Sequence, residues 1–323
     1  MLRSLYAGIS GMKANQVKLD VIGNNIANVG TTAFKSSRVR FQDMVSQSMS
    51  QSSAPGANQG GVNPKQVGLG VQVAGIDTMV GQGMMQPTSR NLDVAMDGEG
   101  YLIVASGSID GVIPVESNIM SAQTDNILSV SFTRDGALTL DNEGHLLTSD
   151  GFRVMGYPIG ATTYEDGIPT IEFADSNSIP PPSAEEDLIP LSIPGMIGGQ
   201  MVRTFSIEKD GVIKAVLEDG SVSSVGQIAM ASFNNPAGLS KVGKNLYQNT
   251  SNSGVAVVRS GIGADPDNSK GYGDMLQGML EMSNVDLAEQ FTDMIVASRA
   301  FQAVGKVITT GDEILQDILN LKR

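Results

Sequence analysis

The sequence predicts an α+β, multidomain fold, with discontinuous mainly-β domains inserted between paired N- and C-terminal α-helices of coiled-coil character. Three observations predict it. Both ends of the 323-residue chain carry apolar residues at alternating spacings of three and four. The long middle is punctuated by Asp-Gly pairs lying between short apolar runs. Composition, at 41% hydrophobic and 17% charged, supplies a core and argues against disorder throughout.

The N-terminal stripe is Leu2, Leu5, Ile9, Met12, Leu19 and Ile26, with Gln16 and Gly23 completing the seam. Tyr6, Val17 and Val21 widen it. The run should stop near Asn28-Val29-Gly30, where Gly30 offers a left-handed residue to end the helix. The C-terminal stripe is Leu287, Phe291, Met294, Phe301, Ile308, Leu315 and Leu319, filled in by Ser298, Gly305 and Asp312 and broadened by Ile295, Val304, Ile314 and Ile318. Ser283 followed by Asp286 resembles a capping box at its start.

Between the ends, seven Asp-Gly pairs recur, at Asp97, Asp110, Asp135, Asp150, Asp166, Asp210 and Asp219. Asp-Gly readily takes the positive φ angles of tight hairpin turns, so this spacing predicts antiparallel strands. Residues 46–66, rich in Ser, Gln, Gly and Asn, read as an extended, mobile linker. Pro180-Pro181-Pro182 and the acidic residues after it suit an exposed excursion. The layout predicted is a terminal helical domain (1–30 with 283–323), an extended connecting segment (31–70 with 258–282), a β-rich domain (71–157 with 200–257), and a small insertion or reduced outer domain (158–199).

Little in the chain suggests reaction chemistry. A formal charge of −13 argues against nucleic acid and anionic membrane surfaces. There is no Cys, and His145 is the one histidine, so no typical zinc site is available. His145 sits beside a turn and reads as a bystander. The Asp-Gly pairs lack the alternating carboxylates of a calcium loop, and Gly98-Glu99-Gly100 and Gly68-Leu69-Gly70 lack a full nucleotide-binding fingerprint. No stretch reaches the roughly 20 apolar residues of a membrane span, and the N-terminus has no unbroken apolar region of a cleaved leader. We therefore expect no enzyme, no cofactor and no metal.

The two stripes bury most simply against each other. Both are wider than a two-helix seam, and the surplus apolar surface predicts neighbours from other subunits. The same pattern also fits an ordinary helical subdomain packed on the β-domain. Methionines such as Met44, Met49, Met79, Met84, Met85 and Met96 serve equally as adaptable core filling or as a sliding contact surface.

The stretch Asn24-Asn25-Ile26-Ala27-Asn28-Val29-Gly30-Thr31-Thr32-Ala33-Phe34-Lys35 resembles the signature of the rod and hook proteins of the bacterial flagellum. Ala33 stands where that family usually has Gly. Val67-Gly68-Leu69-Gly70-Val71, Leu92-Asp93-Val94-Ala95-Met96-Asp97-Gly98, Phe132-Thr133-Arg134-Asp135-Gly136, Ser283 to Glu289 and Phe291 to Leu321 are similar to further family motifs in the correct order. Asn63-Pro64 and the C-terminal Asn320-Leu321-Lys322-Arg323 resemble hook subunits more than distal rod subunits.

The resemblance implies a structural subunit that polymerises with itself into a bendable, torque-transmitting tube, with the terminal helices lining its channel. It also implies type III export, a place in the flagellum outside the cell, and contacts with distal rod, hook cap and hook–filament junction proteins. The alternative it allows is a distal rod subunit of the basal body. Sliding contacts between neighbours would then draw on residues 31–70 and on Met79, Met84 and Met85.

Overall fold

The computed structural model describes residues 2–55, 60–109, 111–116, 119–120, 128–158, 162–165, 168–171, 174–175, 187–197, 199–259 and 274–321. The chain divides into two units, one of Met1–Gly30, Lys35–Met79 and Val285–Arg323, the other of Thr31–Phe34 and Val80–Asn284.

In the first unit, α1 (Leu2–Ala27) packs antiparallel to α2 (Leu287–Leu321). The contact is close because small residues sit at it. A Cβ on Gly8 would stand 3.2 Å from Cγ1 of Ile308, and one on Gly311 would stand 3.0 Å from Cδ2 of Leu5. Ala14, Ile22, Asn25 and Ala297 are buried. The Lys18 ammonium lies 3.3 Å from the Asp293 carboxylate.

Each helix end differs from its sequence expectation. Asp286, not Ser283, caps α2, because its Oδ1 accepts from the N–H groups of Ala288 at 2.8 Å and Glu289 at 3.3 Å. After α1 the left-handed residue is Ala33, at φ +54, rather than Gly30.

Four strands complete this unit. β1 (Ser37–Asp43) pairs antiparallel with β4 (Val71–Thr78), with a register shift between Arg40 and Phe41. β2 (Ser46–Ser50) pairs with β3 (Lys65–Gly68), and a bridge between Ser53 and Val62 continues that pairing. The segment read as a linker is therefore, where described, a paired ribbon. Gly70 (φ +127) passes so near α1 that a side chain there would overlap Ser10, whose Oγ accepts from the Val71 N–H at 3.3 Å. The pairing also moves residues 71–79 out of the β-rich domain and into the helical unit.

The second unit is antiparallel throughout its described ladders. β5 (Met85–Pro87) pairs with Met279–Glu281, and β6 (Val94–Asp97) pairs with Asp274–Gln277. β7 (Tyr101–Gly107) pairs with Leu128–Thr133, Arg153–Pro158 and Met230–Ser232. Its apolar run, Tyr101 to Ala105, is buried on both faces. Leu102 and Val104 join a core with Leu138, Leu191 and Ile213; Tyr101 and Ile103 join one with Phe132, Met155 and Phe233. A continuous apolar run rather than an alternating one is what such a position requires.

The Asp-Gly pairs act in two ways. Gly151, Gly211 and Gly220 take φ near +80 in hairpin turns, at +81, +80 and +85. Gly136 is instead a close approach, since a Cβ there would overlap the carbonyl oxygen of Val94. Asp110, Asp166 and Gly167 lie outside the described residues.

Two domain boundaries shift. Leu188, Ile189, Leu191 and Ile193, read as part of an insertion over 158–199, are buried in the β-unit's cores. Ile189 and Pro190 pair with Gly156 and Met155. Met275, read as part of a connecting segment, is also buried there.

Candidate assembly surface

The centre of the signature stretch is built around Asn25, only 1% exposed. Its Nδ2 donates to the Ser37 carbonyl at 2.8 Å and to Gln290 Oε1 at 3.0 Å, while its Oδ1 accepts from the Ser37 N–H at 3.0 Å. One amide thereby ties α1, the start of β1 and the first turn of α2. A buried amide needs all of these partners, which is why Asn is used here. Asn28 donates to the Asn24 carbonyl at 2.9 Å and closes the helix end. Ile26 is half-buried and Ala27 exposed.

Further along the stretch, Lys35 is buried. The Phe34 ring lies 5.0 Å from the Lys241 ammonium. Burial pushes the Lys241 pKa down, and the ring face offers that cation partial compensation.

Of the α1 stripe, Leu5, Met12, Leu19 and Ile26 are half-buried and Ile9 is exposed; the side chain of Leu2 lies outside the described residues. Of the α2 stripe, Met294, Ile308 and Leu315 are half-buried, while Leu287, Phe291, Phe301 and Leu319 are exposed. Gly8 and Gly11 approach α2 closely and Ala14, Ile22 and Ala297 are buried, and none of these five stands in the predicted stripes. The available signal was the spacing of Gly8 and Gly11, small residues at i and i+3 that lie opposite Val304 and Ile308.

A broad apolar surface remains on the single chain. Tyr6, Phe291, Ile295, Val296, Val307, Ile314 and Ile318 are exposed along the two helices, and Phe41, Met44, Val45 and Met49 along the ribbon. Met84 is 83% exposed and Met79 42%, while Met85 is half-buried in β5.

His145 has its pKa lowered by burial, with the Glu143 carboxylate 3.8 Å away. Among the described residues no three His, Cys, Asp or Glu side chains converge as a metal site, and no helix is long and apolar enough to cross a membrane.

Over 323 residues the chain is 43% identical to the flagellar basal-body rod protein FlgG of Bacillus subtilis (strain 168), covering 100% of both. It belongs to the flagellar rod and hook axial protein family. The chain is also 31% identical over 460 aligned residues to the flagellar hook protein FlgE of Borreliella burgdorferi, and 32% identical over 328 to FlgG of that organism, with 100% of each chain covered. Three family descriptions match in chain order: flagella basal body rod protein at 5–35, flagellar hook protein FlgE/F/G D1 domain at 95–215, and flagellar basal body rod FlgEFG protein C-terminal at 276–321.

The first match contains most of α1 and the whole signature, and the last contains all of α2. The chain is thus a rod/hook axial subunit of the flagellum, from a structural family that polymerises into axial structures.

Proposed function

We propose that this chain is a hook subunit, polymerising into a bendable tube that transmits torque between rod and filament. The observation that carries the reading is the paired ribbon of β1 to β4. It is two strands wide, largely exposed, and furnished with Ser, Gln and the unbranched Met44 and Met49. Bending requires contacts that repack at little cost as neighbours shift, and flexible thioethers and short polar side chains do this better than interlocked branched ones. Residues 31–70 with Met79, Met84 and Met85 are the proposed sliding contacts.

The stripe residues of α1 and α2 are proposed as the assembly interface, forming the channel wall when neighbours cover them. An exposed apolar area on this scale is covered in a finished assembly. Export through a type III route, a final place outside the cell, and contacts with distal rod, hook cap and hook–filament junction proteins belong to the same proposal. No catalytic role is proposed.

A second reading, a distal rod subunit, is favoured by the 43% identity to a rod protein of equal aligned length. Curvature decides between them. Purified chain is polymerised and imaged by electron microscopy: curved, bendable tubes support the hook, and uniformly straight rods support the shaft.

A further inference from the structure

Three stretches of chain lead into and out of the second unit, residues 31–34, 80–84 and 281–284. Within that unit they are bound together, and Glu281 is at the centre. Its carbonyl oxygen accepts from the Ala33 N–H at 2.8 Å, and its Oε1 accepts from the Gly83 N–H at 2.8 Å. Its Oε2 accepts from Nε of Arg134 at 2.9 Å. Around it, Asn284 donates its N–H to the Phe34 carbonyl at 3.3 Å and its Nδ2 to the Gly81 carbonyl at 3.0 Å, and Met282 donates to the Met84 carbonyl at 2.9 Å.

Arg134 comes from the β-core side of this junction. It follows the strand Leu128–Thr133, and its Nη2 donates to the Gly98 carbonyl at 2.7 Å. Its neighbour Asp135 accepts from Thr32 Oγ1 at 3.1 Å, and Asn245 donates to the Thr32 carbonyl at 3.0 Å. Both side chains of the ion pair are inaccessible, 2% for Arg134 and 0% for Glu281. The fit is tight: a Cβ on Gly83 would overlap the carbonyl of Met282.

A buried ion pair is seldom more stabilising than well-packed apolar side chains of similar volume. What it adds is discrimination. A carboxylate whose oxygens accept from separate segments holds those backbones in one arrangement, where an apolar contact would tolerate several.

We propose that Arg134 and Glu281 form a clasp fastening the three passages to one another and to the β-core, so that they respond to force as one body. Glu281 acts as a positioning residue rather than as a general stabiliser of the unit. The mechanical consequence rests on the reading of this chain as a torque-transmitting subunit; the fastening itself does not.

Hydrogen exchange on the full-length monomer tests it, comparing wild type with Glu281→Gln, which keeps the shape but faces Arg134 Nε with a donor. Exchange should accelerate at least about tenfold in peptides holding 31–34, 80–84 and 281–284, while peptides holding 101–105 and 128–133 keep their wild-type rates. Equal acceleration everywhere, or none at the passages, overturns the clasp. Should Glu281→Gln fail to fold, Arg134→Lys carries the same test, with a smaller acceleration confined to the same peptides expected. Because no polymer is involved, a negative result leaves the hook-or-rod question untouched.

Discussion

Gly8 of α1 lies against Ile308 of α2 closely enough that one added methyl would come within 3.2 Å of it. That proximity sets how near the two helix axes run. A branched side chain at Gly8 has nowhere to go, since the Val304 and Ile308 side chains fill the space. Gly8→Val should therefore prevent polymer formation in sedimentation assays, with the β-unit's thermal transition unchanged.

Gly305 is the matching control, because no atom lies within 4 Å of its added Cβ. Gly305→Ala should leave polymerisation intact and raise the thermal stability of the polymer's helices by up to about 1 kcal/mol, the ordinary difference in helix propensity. A loss of polymer in this variant would mean that the position touches a neighbouring subunit.

Charge placed in the helix contact gives a third expectation. Leu5 packs on Gly311 and Ile308 on Gly8, so Leu5→Asp or Ile308→Asp would put a carboxylate in an apolar contact, costing several kcal/mol. Both should abolish tubes while the β-unit stays folded by circular dichroism. In the wild type, amides of α1 and α2 should exchange freely in dilute monomer and be protected in polymer, since helices with so much uncovered apolar face are marginal alone.

These helices also show what pattern reading captures. Spacings of three and four marked both elements, because a helix must present one apolar side. The rotation of each helix about its axis was less legible. Close packing selects Gly8, Gly11 and Gly311 for the near approach and leaves Ile9 and Phe291 exposed. Asn25 could be reached only through its motif, since a polar residue gives no hydropathy signal. Leu188 to Ile193 were hidden for another reason: prolines on either side made a buried, two-faced segment look like a loop.

Ala33 provides a fourth test. It is 1% exposed and held at φ +54, a region costing an L-residue about 1–2 kcal/mol. Ala33→Gly relieves that cost but loses a buried methyl and gains unfolded-state freedom, so the thermal midpoint should move little. Ala33→Val, branched at Cβ in the same conformation, should lose more than about 2 kcal/mol in denaturant unfolding.

Alkaline titration is the fifth. Burial raises the Tyr101 pKa to about 12, and burial raises that of Tyr247 as well. The unfolded chain releases these phenol protons near pH 10, before the folded one does. In that interval the folded state binds more protons, so the β-unit's stability should fall as pH rises from about 10 to 12. Tyrosinate absorbance should lose a late-ionising component when Tyr101 or Tyr247 is replaced by Phe. Tyr101→Phe should reduce the slope of stability against pH.

The ribbon of β1 to β4 has a consequence for growth. Among the described residues no third strand joins either of its pairs, and a lone two-stranded hairpin is scarcely stable in water. α1 supports the β1–β4 pair, so it is the contour of the β2–β3 arm that is imposed by whatever surface receives it. A subunit landing on an existing tip finds that surface ready, whereas two molecules meeting in solution must create it between them. Solutions of the pure protein should stay clear through a long lag, then lengthen at once when sheared fragments are added.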